Sequence, residues 1–529
     1  MSGSRPLLGS AEMPGPERTS SPRLAVAGSV AGVLAVALVA SAPVSPFTPR
    51  LPVGEAPFGP IRSAADAIGL GEVHGDALAV VGVGAVLFAV ATFLFVLREA
   101  WRGTISFRVV VGLAIAYHLL VLMLPLLFSR DVYSYTFYGR ISSVYHANPY
   151  VSTPSDFARD PFYPLIGPAW RSTPDVYGPL FTQIADRLTR WLGSLTDLIF
   201  AFQALAAAAS LGMLAIVAWL ARRVRPDRAS FAVALIGLNP LVLFYAVGTG
   251  HNDLLTALAI AGGFALVYAR RELLATAVLT LGALVKAPAV VPLVLLIVVV
   301  VVRAEPGRRA STALKHAGLA LGIGLLVAAP FLQTKDPTLG MAELATHEGW
   351  LAPTRFFLRF FGAIGQAIGG DGGRIALEAI PRIAFPLLFF AALALIARAL
   401  ARKADVITLE EQGAAWGWGL LLLTLTGPVL LPWYLTWTLP VAWLLPRVPR
   451  STLVAVSVAL TVSLVNAEPL RSARVYDAEL FFGHYIVTPM VIGLLAWLLL
   501  DLRRRLRAGT PFDAEEDVAG HVPAHADKG

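Results

Sequence analysis

Apolar stretches of about twenty residues recur from one end of this chain to the other. One of them, VVVGLAIAYHLLVLMLPLLF, stops at Phe128. Hydrophobic residues make up 57% of the 529 residues and charged residues only 14%, whereas a soluble domain is roughly a quarter charged. The sequence therefore predicts an all-α integral membrane protein, a multi-spanning helical bundle with about 12 to 14 transmembrane helices.

The composition also excludes several kinds of site. The chain has no cysteine, so it has no disulfide, no thiolate metal site and no cysteine nucleophile. It has no P-loop, no G-x-G-x-x-G turn entering a soluble βαβ unit and no Cys/His metal spacing. We read the net charge of +8 as arginines that fix membrane topology. The sequence predicts no metal, no cofactor and no nucleic-acid partner.

Short connecting segments predict the orientation in the membrane. The segments REAWRGTISFR, ARRVRPDR, RAEPGRR and RVPR are basic, and so is DLRRRLR near the C-terminus. Basic segments stay on the cytoplasmic side. Both termini are therefore predicted to be cytoplasmic, and the longest loops are predicted to face outward: 45–75, 129–196, 333–381 and 467–483.

The two ends of the chain differ from the rest in composition. Residues 1–23 and 506–529 are polar and rich in small residues, which predicts disordered cytoplasmic tails. The predicted membrane domain covers residues 24–505, because the first apolar stretch is long for a signal peptide and no sharp cleavage site follows it.

The loop after Phe128 begins with the sequence SRDVYSYTFYGR. Asp131 lies directly after a span, where partial desolvation moves the pKa of a carboxyl towards the range of a general base. Arg130 opposes that shift, or it holds an anion, and Arg140 follows in the same loop. The alternative role for Asp131 is a helix cap and an anchor at the membrane interface.

Aromatic residues accompany these charges. Tyr133 and Tyr135 follow Asp131, Tyr150 ends the motif HANPY, and Tyr177 lies in STPDVYGPLF. Such rings stack on a sugar ring, or they form the aromatic belt found at membrane interfaces. The residues themselves leave both roles open.

A second polar cluster, GTGHND, separates two apolar spans on the predicted outer side. His251, Asn252 and Asp253 are suited to a tight loop over a cavity. The alternative is a polar hairpin in which Asn252 or Asp253 caps the next helix. Capping does not account for His251.

Two further motifs lie on the same predicted side. Lys286 in LGALVKAPAVVPL is a charge in apolar sequence, for which a partner is expected, and a lipid phosphate would serve. Snorkelling to the headgroups is the alternative. In GPVLLPWYLTW, prolines interrupt a span next to Trp433 and Tyr434. The four clusters together predict an outward-facing site with an acid, a cation and an aromatic wall.

In this order and spacing, the motifs resemble those of the actinobacterial polyprenol-phosphomannose-dependent α-1,6-mannosyltransferases. These enzymes build the mannan core of lipomannan and lipoarabinomannan and belong to the glycosyltransferase C superfamily. The resemblance runs over about residues 108–446. It is carried by FSRDVYSYTFYGR, NPY, VYGPLF, NPLVLFYAVGTGHND, VKAPAVVPL and LPWYLTW.

The resemblance implies a reaction and a set of roles. Asp131 would act as the general base towards an acceptor hydroxyl, with inversion at the anomeric carbon of β-mannosyl phosphopolyprenol. The residues implied to bind the donor phosphate or sugar are Arg130, Arg140, Lys286, His251, Asn252, Asp253 and Tyr177. Those implied to stack on the sugar or the acceptor are Tyr133, Tyr135, Tyr150, Trp433 and Tyr434.

The implied partners are a polyprenyl-phosphate sugar, a glycan or glycolipid acceptor, and membrane lipid. The implied location is the bacterial cytoplasmic membrane. Two departures leave the sugar and the linkage open: the family more often has Asp-Pro-Tyr at 148–150 and Ala-Gln-Gly at 137–139, where this chain has NPY and FYG.

Three alternative functions share some of these features. A transferase for another lipid-linked sugar, such as arabinose or another hexose, would carry nearly the same motifs. A flippase or transporter for a lipid-linked saccharide predicts inverted repeats and charges near the bilayer midplane, and the sequence shows neither pattern. A structural scaffold would leave Lys286 and His251 without a purpose.

Overall fold

A computed structural model describes residues 22–49, 59–333, 339, 349, 351–403, 405–463 and 472–515. Its α-helices are α1 (Pro22–Ala40), α2 (Gly59–Ala67), α3 (Gly75–Trp101), α4 (Phe107–Leu122), α5 (Asp131–Ser143), α6 (Pro179–Trp191), α7 (Leu195–Val224), α8 (Ala229–Gly237), α9 (Asp253–Tyr268), α10 (Glu272–Val285), α11 (Val290–Arg303), α12 (Arg309–Ala328), α13 (Pro353–Arg402), α14 (Leu409–Thr426), α15 (Arg447–Val462), α16 (Ala473–Phe482) and α17 (Thr488–Ala508). Within the described residues no strand forms, so the all-α prediction is confirmed.

Within the described residues, six helical stretches are long and apolar enough to cross a membrane: 22–40, 75–101, 195–224, 306–331, 353–402 and 473–508. The pair formed by α8 and the π-helix Leu241–Val247 bends by 43° and makes a seventh candidate. Helices α4, α9 and α10 and the stretch Ala287–Arg303 are apolar but shorter. The chain is thus a multi-spanning membrane protein, while the total of about 12 to 14 spans stays a prediction.

The basic segments gather at one end of the helices. Glu515 accepts hydrogen bonds from Arg228 at 2.9 Å and from Arg450 at 2.7 Å. Lys403 donates to the carbonyl of Gly509 at 2.8 Å. Segments that the sequence placed on one side of the membrane therefore contact one another.

Two predicted segments differ in detail from the structure. The predicted C-terminal tail begins at 506, but α17 continues to Ala508 and Glu515 is held by two arginines. The predicted outer loop 333–381 is helical from Pro353 onward, with a break at Gly369 and Gly370. The remainder of both predicted tails lies outside the described residues.

The opposite ends of α9, α10 and α11 meet at a second location. Helix α9 begins at Asp253, α10 ends at Val285, and α11 begins at Val290 after one turn of 3₁₀-helix. The 16 residues of α9 rise about 24 Å, so its first residue lies far from the basic segment that follows its last turn. The aromatic segment Pro432–Trp437, a 3₁₀-helix, packs on the start of α9.

Candidate active site

A fixed turn delivers Asp131 to the start of α5. Phe128 has a φ of +47°, a left-handed conformation that costs a non-glycine residue roughly 1–2 kcal/mol. Its amide donates to the carbonyl of Phe47 at 2.7 Å, and its ring stacks on Tyr245 with centroids 4.3 Å apart. The hydroxyl of Ser129 then accepts from the amide of Asp131 at 3.1 Å. These contacts offset the strain and orient the first turn of the helix.

The GTGHND loop fits directly against that turn. Gly250 has a φ of +69°, and a Cβ there would come within 2.9 Å of the Val132 side chain. The carbonyl of Gly248 accepts from Gln203 at 2.8 Å and from the amide of Leu127 at 3.1 Å. Only glycine allows this close approach, which brings His251 beside Asp131.

Lys286 is placed by a third backbone contact. The amide of Gly178 donates to the carbonyl of Val285 at 3.1 Å, and a Cβ on Gly178 would collide with the carbonyl of Leu284. Pro179 follows at the first position of α6, where a missing amide proton costs nothing. The motif VYGP therefore docks against the end of α10, next to Lys286.

The cation and one carboxylate form a buried pair. The ammonium of Lys286 donates to both carboxylate oxygens of Asp253, at 2.9 and 2.8 Å, and the indole of Trp437 donates to the same carboxylate at 2.8 Å. The Asp253 side chain is 0% exposed and that of Lys286 12%. Tyr434 and Trp437 face the ammonium, with ring centroids 4.8 and 5.8 Å away.

The residues Asp131, His251, Asn252, Asp253 and Lys286 with their aromatic neighbours form one cluster. Asp131 is the accessible carboxylate of this cluster. Its side chain is 30% exposed, and its Oδ2 lies 3.5 Å from Nδ1 of His251. The hydroxyl of Tyr135 lies 3.2 Å from the same nitrogen and donates to the Asn252 side-chain oxygen at 3.5 Å. Asp253 is already hydrogen-bonded to Lys286 and Trp437, so Asp131 is the carboxylate that can contact a reactant.

Burial shifts the proton affinities of the groups around this cluster. It raises the pKa of Asp131 to about 6, although the Lys286 charge opposes the rise and the Asp253 charge adds to it. Burial also lowers the pKa of His251 well below its usual value, and the Lys286 charge lowers it further. Burial therefore favours the neutral form of His251, beside a carboxyl whose pKa is about 6.

Several buried polar atoms at the cluster have no hydrogen-bond partner within the described part of the chain: His251 Nε2, the side-chain nitrogen of Asn252 and the hydroxyl of Tyr133. The His251 ring also stacks on Trp433, with centroids 3.6 Å apart. Buried polar groups are nearly always paired, so these three unpartnered atoms are exceptions.

Two predicted site residues are engaged elsewhere. Arg140 lies nine residues after Asp131 on α5, a rise of about 14 Å. Its guanidinium donates to Asp160 at 2.8 and 3.0 Å. Tyr150 is buried, with its hydroxyl 2.7 Å from the carbonyl of Tyr177 and from the Thr182 hydroxyl. Arg140 and Tyr150 therefore lie outside the cluster.

The other predicted residues lie within the cluster or against it. Tyr177 faces Lys286 with its ring centroid 6.0 Å from the ammonium, and it meets Tyr135 edge to face. Arg130 precedes Asp131 at the start of α5 and interacts electrostatically with Tyr133.

Sequence reasoning missed two side chains that hold residues of the cluster or their neighbours in place. Trp437 holds Asp253, although the quoted motif LPWYLTW contains it. Asp175 is buried and accepts from the Thr182 hydroxyl at 2.7 Å and from the backbone amide of Tyr177 at 3.0 Å, which holds the main chain at Tyr177. Burial raises the pKa of Asp175 to about 7. The sequence signal that could have indicated Asp175 is an acid between a proline and a turn in the motif STPDVYGP.

Among the residues that the structure describes, no group of three or more His, Asp or Glu side chains is arranged to hold a metal ion. The charged groups of the cluster are instead one carboxylate, one carboxylate–lysine pair and their aromatic neighbours. This set suits acid–base chemistry, and its ammonium group is already paired with a carboxylate.

The helices define a multi-spanning membrane protein, and this cluster of charged and aromatic side chains lies at one end of its bundle. A family model described as "Alpha-(1->6)-mannopyranosyltransferase, N-terminal domain" matches residues 22–303. The chain belongs to this family, and it is a hexosyltransferase. The resemblance seen in the sequence is thereby confirmed.

Two curated relatives carry the same name, Alpha-(1->6)-mannopyranosyltransferase A. The protein from Mycobacterium tuberculosis is 27% identical over 462 residues, covering 81% of this chain and 84% of that relative. The protein from Corynebacterium glutamicum is 29% identical over 184 residues, covering 33% of this chain and 36% of that relative. No solved structure matches the chain.

Proposed function

We propose that this chain transfers mannose from a polyprenyl-phosphate donor to a mannan or glycolipid acceptor, with inversion, forming α-1,6 links. The observation that carries the proposal is the accessible Asp131 carboxylate, which shares one site with the buried Lys286–Asp253 pair. The family names of the relatives support the sugar and the linkage. The site thus holds a base and, close to it, a cation for a departing phosphate.

The reaction transfers one proton and exchanges one bond at the anomeric carbon of the donor sugar. Asp131 accepts the proton of an acceptor hydroxyl. A lone pair of that hydroxyl oxygen attacks the anomeric carbon of the donor sugar. The bond from that carbon to the phosphate oxygen breaks, and polyprenyl phosphate leaves with the electron pair. Lys286 stabilises the developing charge, which is worth most in a site shielded from water.

The rest of the cluster positions these groups. His251 lies against Asp131 and limits the directions in which the carboxylate can turn. Trp433, which stacks on His251, and Tyr434 would wall the pocket. The donor phosphate needs only the lysine, so the proposed reaction requires no metal.

The site is proposed to face outward, in the bacterial cytoplasmic membrane, with both termini cytoplasmic. The support is the clustering of basic segments at the far ends of the helices that begin or end at the site. Basic segments are retained in the cytoplasm. Membrane lipid would surround the helices, and the donor lipid would reach the site from the bilayer.

The test uses the full-length protein in proteoliposomes. Polyprenyl-phosphomannose with a labelled sugar is supplied with an α-1,6-mannoside acceptor, and GDP-mannose serves as the control donor. The proposal expects a labelled product with the lipid donor and none with GDP-mannose. An α-1,6-specific mannosidase should cleave that product. Transfer from GDP-mannose, or transfer only from a lipid-linked arabinose or another hexose, would contradict it.

A further inference from the structure

An apolar groove of about 640 Å³ runs along the surface of the bundle and shares no lining residue with the active-site cluster. We call it the α15 groove. Its walls come from α3, from α15 and from the junction of α16 with α17, and they include Leu94, Val458 and Met490. Its charged lining side chains are Arg98 and Arg450, and none of the described residues that line it is acidic.

Both arginines lie at the end of the groove where the basic segments gather. Arg98 is in the last turn of α3, and Arg450 is near the start of α15. The Arg450 guanidinium lies over the Trp101 ring, 4.2 Å from its centroid, and so joins the two helix ends. The groove therefore has one cationic end and an apolar body.

Arg98 is the cation whose donors are open. Arg450 already donates to Glu515 at 2.7 Å and to the carbonyl of Leu445 at 2.8 Å. The side chain of Arg98 is exposed and, in the part of the chain that the structure describes, it makes no hydrogen bond or ion pair. The hydroxyl-bearing residue Ser451 lines the same end. Because a guanidinium binds phosphate through two parallel hydrogen bonds, this end suits a phosphate group.

The length of the groove matches one leaflet of a bilayer. Its lining residues on α15 run from Arg450 to Val462, a rise of about 18 Å. The hydrocarbon core of a bilayer is about 30 Å thick, so one leaflet takes about 15 Å. One acyl chain of a phospholipid therefore fits along the groove when its phosphate lies at Arg98.

The groove is open towards the membrane. Ile486 is 51% exposed and Met490 is 37% exposed, whereas Val487 is buried at the base of the groove. All three lie in the apolar stretch 473–508, which is long enough to span a bilayer. Exposed apolar side chains on a spanning helix face hydrocarbon and not water. A lipid can therefore enter the groove sideways from the bilayer.

We infer that the α15 groove binds an anionic phospholipid of the cytoplasmic leaflet, with its phosphate at Arg98 and one acyl chain along α15. Arginines near a membrane surface attract anionic lipids, whereas they repel the ammonium of a zwitterionic headgroup. Lipid tails gain no hydrophobic energy by leaving the bilayer for an apolar groove, so the headgroup charge decides which lipid binds. The inference uses the proposed orientation of the helices and is independent of the transfer reaction.

The first experiment maps the lipid on the full-length wild-type protein in phosphatidylcholine nanodiscs. The probe is phosphatidylglycerol with a photoreactive diazirine in the middle of one acyl chain. The inference expects crosslinks to α15 and α17 next to Val458 and Met490. Unlabelled phosphatidylglycerol should compete about tenfold better than added phosphatidylcholine, because one open and one shared arginine face its headgroup.

Three outcomes would overturn the inference. Equal competition by phosphatidylcholine would make the groove an ordinary part of the lipid boundary. Crosslinks spread evenly over the lipid-facing helices would mean that the groove is not a site. Competition by soluble glycerol 3-phosphate would show that a free phosphate, and not a lipid, is the ligand.

A matched pair of arginine variants tests the headgroup contact. Arg98 lines the groove, whereas Arg222 is an exposed arginine in the last turn of α7 that does not line it. Arg98→Gln should weaken crosslinking by the phosphatidylglycerol probe about fivefold, since one arginine near a membrane surface contributes about that factor. Arg222→Gln should leave the crosslinking unchanged. Equal crosslinking in the two variants would overturn the assignment of Arg98.

A matched pair of alanine variants tests the path of the acyl chain. Ala455 lines the groove on α15, whereas Ala91 is exposed on α3 and does not line it. Ala455→Phe should remove most of the crosslinks, because the ring occupies the space of the chain, and Ala91→Phe should keep them. Thermal unfolding in detergent checks that both variants fold. Crosslinks that persist in a folded Ala455→Phe would overturn the inference.

Discussion

The ammonium of Lys286 donates to both carboxylate oxygens of Asp253, and Trp437 donates to the same carboxylate. Asp253 is wholly buried, so its charge depends on these partners. A buried ion pair is costly to form, but removing one partner costs more, since an uncompensated charge remains. The pair therefore ties the starts of α9 and α11 together and keeps a cation at the site.

This relationship predicts a non-additive stability change. Asp253→Asn and Lys286→Met should each lower the free energy of unfolding by about 3–5 kcal/mol. The double variant should recover much of that loss and still lack transferase activity. The measurement is denaturant unfolding in detergent. Losses that simply add in the double variant would contradict the account.

The control for that prediction is an exposed ion pair. Arg62 and Asp66 lie 3.9 Å apart, with nearly half of each side chain exposed. Exposed pairs contribute about 0–1 kcal/mol. Arg62→Ala should therefore leave the free energy of unfolding nearly unchanged.

The pH dependence follows from Asp131. Burial raises its pKa to about 6, and only the ionised carboxylate accepts a proton. Because the active form is lost as pH falls through that pKa, kcat/KM should drop about tenfold per pH unit below 6 and level off above 7. A profile that is flat between about pH 5 and 7 would argue against Asp131 as the base.

His251 should act through Asp131 and not on the donor. His251→Phe keeps a ring to stack on Trp433 but removes the nitrogen that lies 3.5 Å from Asp131. We expect kcat to fall about 10- to 100-fold, with a shifted acid limb in the pH profile, because a misplaced base reacts poorly. A change confined to the KM of the donor would instead assign His251 to donor binding.

Gly250 should be irreplaceable at its position. Gly250→Ala forces a left-handed residue and pushes on Val132, so it should cost at least about 1–2 kcal/mol of stability and lower kcat. Gly84 on α3 is the control, since nothing lies within 4 Å of its Cβ position. Gly84→Ala should be neutral or stabilising. Thermal unfolding and turnover, measured together, check both variants.

The absence of cysteine makes the orientation testable with single-cysteine variants. Ala158 lies in the predicted outer loop 129–196, and Ala310 lies at the opposite, basic end of the helices; both are exposed. A membrane-impermeant maleimide added to intact cells should label Ala158→Cys and spare Ala310→Cys. The reverse labelling would invert the proposed topology.

Much of the site could be predicted because its residues break local patterns. Three residues conflict with their surroundings: the lysine Lys286 in apolar sequence, the histidine His251 in a glycine loop and the acid Asp131 at the end of a span. The structure brings these three residues together. The membrane class followed from hydropathy alone. These signals are local, so a single sequence is enough to show them.

The pairings could not be predicted, because they depend on how distant segments meet. Arg140 and Asp253 both looked like ligands for the donor, yet one is held by Asp160 and the other by Lys286. Tyr150 looked like a stacking residue, and its hydroxyl instead joins a buried network with Thr182. Hydrogen-bond partners more than ten residues apart leave no mark in periodicity or composition.

The most direct test is mannosyl transfer by Asp131→Asn in proteoliposomes, with Asp197→Asn as an exposed carboxylate control. The account predicts a fall in kcat of about 10²- to 10⁴-fold for Asp131→Asn, with wild-type unfolding behaviour, because only the base is lost. Asp197→Asn should turn over normally. Activity of Asp131→Asn within about tenfold of wild type would contradict the assignment of Asp131 as the base.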